Sequence, residues 1–412
     1  MKKVRDKYKM TELGEIPSEW HIEVLGECSN VTKLAGFEFT EYIEYIDDGE
    51  IIALRALNLK NGKLNLEDIK KIDKKVSESL TRSKLYINDV LFSYVGTVGE
   101  VALIEENDKF HLAPNVAKLT FNDSVVPKFA LQYLMSSNMR NEINRYVTTT
   151  SQPALSMENI RKLKIIVPKK EEQEKISFIL STVDEQIDNV DALIEKNKEL
   201  KKGLMQTLFT KGIGHTKFKN TEIGEIPEEW DVKKLECVFE ILDSMRKPIK
   251  ASDREKIEGN IPYYGASGVI DWINDYIFDE ELILLGEDGE NLNSRNSDLA
   301  FKISGKTWVN NHAHVFRVIN KKECNIDFMV YYLEAKDYSI YIAGSAQPKI
   351  TQAQCRKFLL PLPEKQEQDK IASILLESDK KIEEYENKKQ KLEELKKGLM
   401  QQLLTGMIRV TV

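Results

Sequence analysis

Between Glu172 and Leu208 the apolar residues fall into two rows. Ile176, Val183, Val190 and Leu204 are spaced by sevens, with Asn197 in the one gap. Leu180, Ile187, Ile194 and Leu208 repeat that spacing, with Lys201 in theirs. Rows offset by three and four residues form the a/d seam of a helix that pairs with another helix. The stretch has no proline, and at about 1.5 Å per residue it spans roughly 50 Å. Glu367–Leu404 carries the same pattern, with Ile371, Leu375, Ile382, Tyr385, Leu392, Leu399 and Leu403 in the seam and Ser378, Lys389 and Lys396 interrupting it. A constant shift carries Ile176 onto Ile371 and Lys201–Gln206 onto Lys396–Gln401 without a gap. Polar residues in a seam cost stability and fix register. The two stretches predict a coiled coil within one chain.

The remainder is doubled as well. TELGEIPSEW at Thr11–Trp20 returns as TEIGEIPEEW at Thr221–Trp230. The order is therefore globular region, long helix, globular region, long helix. The ends of the two copies match well and the middles poorly, which points to a shared scaffold carrying two different readers. In the first copy, Glu50–Leu59 alternates like a strand, followed by the turn Asn61-Gly62 and more strand from Lys63. Asp89–Ile104 reads as two strands around the corner Gly96–Gly99, and Val116–Phe121 as another. Pro127–Tyr146 reads as one helix. A polar loop, Thr148–Pro153, precedes a short helix starting at Ser156 and a strand at Leu163–Val167. In the second copy, Glu281–Gly286 and Val315–Ile319 read as strands, with the corner Glu287–Asn291 placed like Gly96–Gly99. Asp327–Ala335 reads as helix, and Thr351 with Gln354 makes a capping box. Strands and helices mix without a βαβ rhythm, so each globular region is predicted to be α+β.

Four hundred and twelve residues exceed one core and suggest several domains. The net charge of −7 is not that of a typical isolated nucleic-acid binder, although charge can be segregated by face. Four dispersed cysteines fit free thiols in a reducing cytosol. No apolar run approaches membrane length, so a cytoplasmic location is expected.

Few residues suggest catalysis. Ser304–Thr307 ends like a P-loop, but Ala300 stands where the first glycine belongs. His312 and His314 form an HxH pair lacking a third ligand nearby. No dinucleotide fingerprint, amino-methyltransferase motif or nuclease cluster is evident. The better candidates are polar and glycine-rich corners suited to phosphates and base edges. In the first copy these are Arg55, Asn58, Lys60 and Lys63; Tyr94, Gly96 and Thr97; Asn115; and Ser151 and Gln152. In the second they are Tyr263, Tyr264 and Ser267; Asn291, Asn293 and Arg295; Asn311 and His312; and Gln347 and Lys349.

Taken together, GEIPxEW, the GTVG corner, SQPALS at 151–156 with AQPKIT at 346–351, the run Ile160–Pro168, and EQxKI opening a long helix that ends KKGLMQ resemble the specificity subunit of type I restriction–modification systems. The match spans nearly the whole chain, twice, in the same order. The resemblance implies two target-recognition domains, 1–168 and 213–363, each followed by a helical region, 169–212 and 364–412. It implies that the helices pack antiparallel, set the spacing between two half-sites on double-stranded DNA and dock two methyltransferase subunits. Restriction subunits would join that complex. No cofactor is expected in this chain; S-adenosylmethionine, ATP and Mg²⁺ would bind the partners. Because the middles differ, the implied target is asymmetric.

Overall fold

The structure, a computed structural model, describes residues 5–148, 152–343 and 347–411. The chain forms two compact units. Unit 1 is Met1–Val190 with Lys388–Val412, and unit 2 is Asp191–Asn387. Two helices, Lys170–Lys211 and Lys365–Leu403, each contribute residues to both units.

Unit 1 is built on an antiparallel sheet in the order Val101–Leu103, Val90–Ser93, Val116–Phe121, Ser29–Lys33. A second sheet places Ile51–Leu54 between Phe110–Leu112 (parallel) and Lys70–Ile72 (antiparallel). Asn61 and Gly62, both at positive φ (52° and 85°), close the small hairpin Leu59–Lys60/Lys63–Leu64, the conformation an Asn-Gly pair favours. The helix expected over 127–146 is two helices, Pro127–Leu134 and Ser137–Asn144. Ser136 breaks it by capping the second: its hydroxyl accepts a bond from the Met139 amide at 3.2 Å.

Unit 2 repeats the plan, with a sheet ordered Phe239–Ile241, Ala313–Val318, Leu282–Gly286, Ala300–Ile303. Beside it, Glu258–Gly265 and Gly268–Ile273 form a hairpin that pairs with Lys306–Val309. Gly305 (φ 71°) only turns the chain between two strands, so the GKT sequence opens no helix and is not a phosphate loop.

The duplicated end motifs form a clasp in each unit. In unit 1 the buried Glu172 carboxylate accepts the Trp20 indole N–H at 3.0 Å and the Arg409 guanidinium at 2.6 Å. In unit 2 Glu367 accepts the Trp230 indole N–H at 2.9 Å and the Ile213 amide at 2.8 Å, with His215 Nε2 at 3.0 Å. The neighbouring glutamines, Gln173 and Gln368, each accept one backbone amide (Val126, Asn325) and donate to two carbonyls. Each clasp thus joins the start of one long helix, the chain beyond the end of the other, and a tryptophan of the globular part.

Within each unit the long helices pack antiparallel. In unit 1, Ile176 and Leu180 share a core with Leu403 and Leu404, and Asp184 pairs with Lys396 at 2.6 Å. In unit 2, Lys198 pairs with Glu386 at 3.5 Å and Lys201 with Asp379 at 2.5 Å, and Leu208 shares a core with Ile371. Lys201 and Lys396, two of the residues that interrupt the predicted seams, are therefore ion-pairing positions between the helices. Gly203 and Gly398 lie inside these helices with open space where a Cβ would stand, at a local cost of about 1 kcal/mol each relative to alanine.

Candidate nucleic-acid interface

Where the two central strands of each main sheet end, three distant segments form an edge joined by the same three backbone hydrogen bonds. In unit 1, the Tyr94 amide donates to Asn115 O (3.0 Å), the Gly96 amide to Pro153 O (2.9 Å) and the Leu155 amide to Tyr94 O (2.8 Å). In unit 2, the Glu287 amide donates to His312 O (2.8 Å), the Gly289 amide to Pro348 O (3.1 Å) and the Ile350 amide to Glu287 O (2.8 Å). Gly96 and Gly289 both have positive φ (81° and 103°), which allows the corner to turn under the third segment. The backbone is one scaffold, and its side chains differ: Tyr94 stands where Glu287 does, and Asn115 where His312 does.

This edge gathers several of the residues expected from sequence. In unit 1, Thr97, Asn115 and Gln152 are exposed there; Tyr94 is half-buried, with the Lys33 ammonium 5.8 Å from its ring centre. Ser151 lies outside the described residues. In unit 2, Asn311, His312, Gln347 and Lys349 are exposed. The hairpin carrying half-buried Tyr264 and exposed Ser267 joins them, since the Asn310 amide donates to Tyr264 O at 3.0 Å.

Two other candidates are spent inside the protein. Asn58 is fully buried; its Nδ2 donates to Asn65 O and Asp68 O, and its Oδ1 accepts the Arg55 amide. Tyr263 is also buried, with its hydroxyl accepting the Ile249 amide at 2.9 Å. Neither side chain can reach DNA, so both are withdrawn. Their polarity serves the hairpins they staple. Arg55 is held by Asp68 at 2.8 Å, and Lys63 is paired with Asp188 on the long helix. Lys60, in the same hairpin, is exposed. Asn291 bonds both ways to the Ser297 backbone, and Arg295 donates to Glu334 O. Exposed Asn293 and Arg295 border a cleft of about 490 Å³ with Lys336 and Ser339.

Sequence reasoning missed what supports the unit 2 edge. His314 is buried, with Nδ1 2.6 Å from Asp243 and Nε2 2.9 Å from Ile350 O. Arg246 lies 2.5 Å from Glu287 and 3.6 Å from Asp243 and donates to Ala313 O; Lys349 lies 2.9 Å from Glu287. Burial opposes a charged imidazole, yet the Asp243 carboxylate and the Cys355 sulfur outweigh it and raise the His314 pKa to about 10. Burial by itself would raise Asp243, but His314, the Val315 amide and Arg246 hold it below the usual range. Asp243, Glu287 and His314 are spaced as metal ligands would be. Nε2 faces a carbonyl oxygen and so carries its proton, Nδ1 is taken by Asp243, and Arg246 and Lys349 pair with the carboxylates. The group is an ion-pair network that ties the corner to the third segment. The adjacent His312, also considered above as a possible ligand, pairs instead with Asp288 at 2.9 Å.

Two copies of one backbone, bearing different side chains at the same exposed edge, define a duplicated recognition protein. The chain belongs to the type I restriction modification DNA specificity domain family, whose model matches residues 17–201 and again 227–394. It is 29% identical over 429 residues to the putative type I restriction enzyme MjaX specificity subunit of Methanocaldococcus jannaschii, covering 98% of this chain and 97% of that one. It is also 29% identical to the MjaVIII specificity subunit of the same organism, over 96% and 94%. The fold resembles the crystal structure of a type I restriction–modification S subunit from M. genitalium, with a TM-score of 0.59 at 17% identity and 97% coverage of both chains. Membership makes the chain a non-catalytic component for DNA target recognition.

Proposed function

We propose that this chain reads a split, asymmetric sequence in double-stranded DNA, one half-site per unit, within a complex holding two methyltransferase subunits and restriction subunits. The observation that carries the reading is the three-segment edge: the same three backbone hydrogen bonds in both units with different exposed side chains. A common scaffold, with Gln152 and Gln347 at matching places, meets the duplex in a common way, while Thr97 and Asn115 in one unit and Asn311, His312 and Lys349 in the other set different base preferences. S-adenosylmethionine, ATP and Mg²⁺ belong to the partners in this proposal, and the complex works in the cytoplasm. Its DNA affinity is strongly salt-dependent.

Co-expression with the neighbouring methyltransferase, followed by mapping of modified bases, tests the proposal. The expected result is one two-part motif with unlike halves and a fixed gap. Methyl transfer to DNA by the purified chain alone, or a single uninterrupted motif, would sink it.

The long helices act as the ruler. The ion pairs Asp184–Lys396 and Lys201–Asp379 bracket the stretch to shorten. Deleting one heptad from each helix, Asn189–Glu195 with Tyr385–Lys391, removes about 10 Å of helix. The unread gap should shrink by about 3 base pairs, at roughly 3.4 Å each, with both half-sites unchanged. An unaltered gap in the modified motif would rule out the ruler.

A further inference from the structure

The second sheets of the two units differ at one strand pair. In unit 2, Gly268–Ile273 pairs with Glu258–Gly265, and the register slips between Tyr263 and Tyr264: Tyr263 faces Asp271, but Tyr264 faces Val269. Ile270 is therefore the extra residue of a β-bulge, a device that re-aims a side chain. The matching pair in unit 1, Ile51–Leu54 with Lys70–Ile72, runs in unbroken register and carries Lys70 and Lys71. Ile270 is 53% exposed and belongs to neither apolar core of its unit. Its place is nonetheless defined. A Cβ built on Gly265 would stand 3.2 Å from Ile270 Cγ2 and 3.5 Å from Asn310 Nδ2, so glycine leaves room for the isoleucine to lie beside Asn310. Asn310 Oδ1 in turn accepts the His312 amide at 2.8 Å, within the second segment of the edge. The hairpin turn is seated there too: Ala266 O lies 3.0 Å from where a Cβ would stand on Gly286, the residue before Glu287.

An isoleucine half in water thus stands among the amides, hydroxyl and imidazole of the edge. Base edges in the major groove offer hydrogen-bonding groups and one apolar group, the C5 methyl of thymine. We propose that Ile270 contacts that methyl group, so that the half-site of unit 2 holds a thymine at the position under the bulge. This rests on the proposed reading of one half-site per unit and names a base for it. A partner protein fits the pattern less well. Two copies of one methyltransferase call for equivalent surfaces in both units, whereas the bulge is present in unit 2 and absent from the matching pair of unit 1. Unlike halves of a DNA target call for that difference.

The test uses the full chain in complex with its methyltransferase, and duplexes carrying the motif found by modified-base mapping. Each thymine of the motif, on either strand, is replaced singly by deoxyuridine, which removes the C5 methyl and leaves the pairing unchanged. For the parent complex, a replacement in one half-site should weaken binding about fourfold, the worth of one buried methyl group. In the complex carrying Ile270→Ser, that same replacement should make no difference, and the modified motif should loosen at that position alone. The deoxyuridine series on the parent needs no change in the protein, so it stands even if the variant folds poorly. A motif without thymine, equal binding of every deoxyuridine duplex by the parent, or a sensitivity that persists in Ile270→Ser overturns the methyl contact while leaving the two-part reading in place. A motif with no division into halves overturns both. Loss of methyltransferase from the Ile270→Ser complex would reassign the side chain to a protein partner and overturn the contact as well.

Discussion

Replacing His314 with leucine should destabilise unit 2 by roughly 3–5 kcal/mol, as expected when one member of a buried charge network is removed. The cost has named sources. Asp243 loses its 2.6 Å partner and Ile350 O loses its donor, both inside the protein. The effect also has a pH signature. His314 titrates at about 10 in the folded protein and near 6.5 when unfolded, so the folded state binds the proton more tightly. Its contribution is fully present below pH 6.5 and is lost as the pH rises through about 10. Urea midpoints measured from pH 6 to pH 10 should fall more steeply for the parent chain than for His314→Leu, so that the two converge at the alkaline end. Parallel curves would show that His314 is neutral in the fold. Since the network joins Glu287 to Lys349 and to the Asn311–Ala313 turn, the proposed function requires the variant complex to relax only the half-site it assigns to unit 2. Modified-base mapping would reveal one blurred half and one intact half.

Glu172→Ala should cost unit 1 about 3 kcal/mol. The buried Trp20 indole N–H loses its acceptor, and the Arg409 guanidinium loses its 2.6 Å partner and keeps Glu19 at 3.5 Å. For a unit of this size that lowers Tm by about 6–10 °C. Glu172→Gln keeps an acceptor for Trp20 and should lose about a third as much. Glu367→Ala is the matching change in unit 2. If Glu172→Ala leaves the melting curve within a degree of the parent's, the clasp does not hold the helix to the globular part. Partial proteolysis gives a second readout. With the clasp broken, the segment around Arg409 should become cleavable before the sheets do, because its remaining contacts, Glu19, the Trp20 ring and the packing of Val410, include no strand pairing.

The motifs that tie the chain to its family serve mainly as scaffold. Trp20 and Trp230 of GEIPxEW meet Glu172 and Glu367 of EQxKI, and Pro153 and Pro348, which close the SQP and AQP sequences, supply the carbonyls that hold each corner. Residues shared by the two copies build the frame. The residues that read DNA in the proposed function are those that differ, Asn115 against His312 and Thr97 against its counterpart corner.

The sequence by itself determined the duplication, the two long helices and their seams, because a repeat of seven is a local property of the chain. It also determined the corners and caps where the cue lay within a few residues, as at Asn61-Gly62 and Thr351 with Gln354. Tertiary structure decided which polar residues face solvent. Asn58 and Tyr263 look like contact residues in the chain and prove to be internal staples, because polarity marks a need for a partner without saying whether water or protein supplies it. It also decided the reading edge and its support. Asp243 meets His314 across 71 residues, and the hydrogen bonds common to both edges are between backbone groups, which leave no mark in the order of side chains.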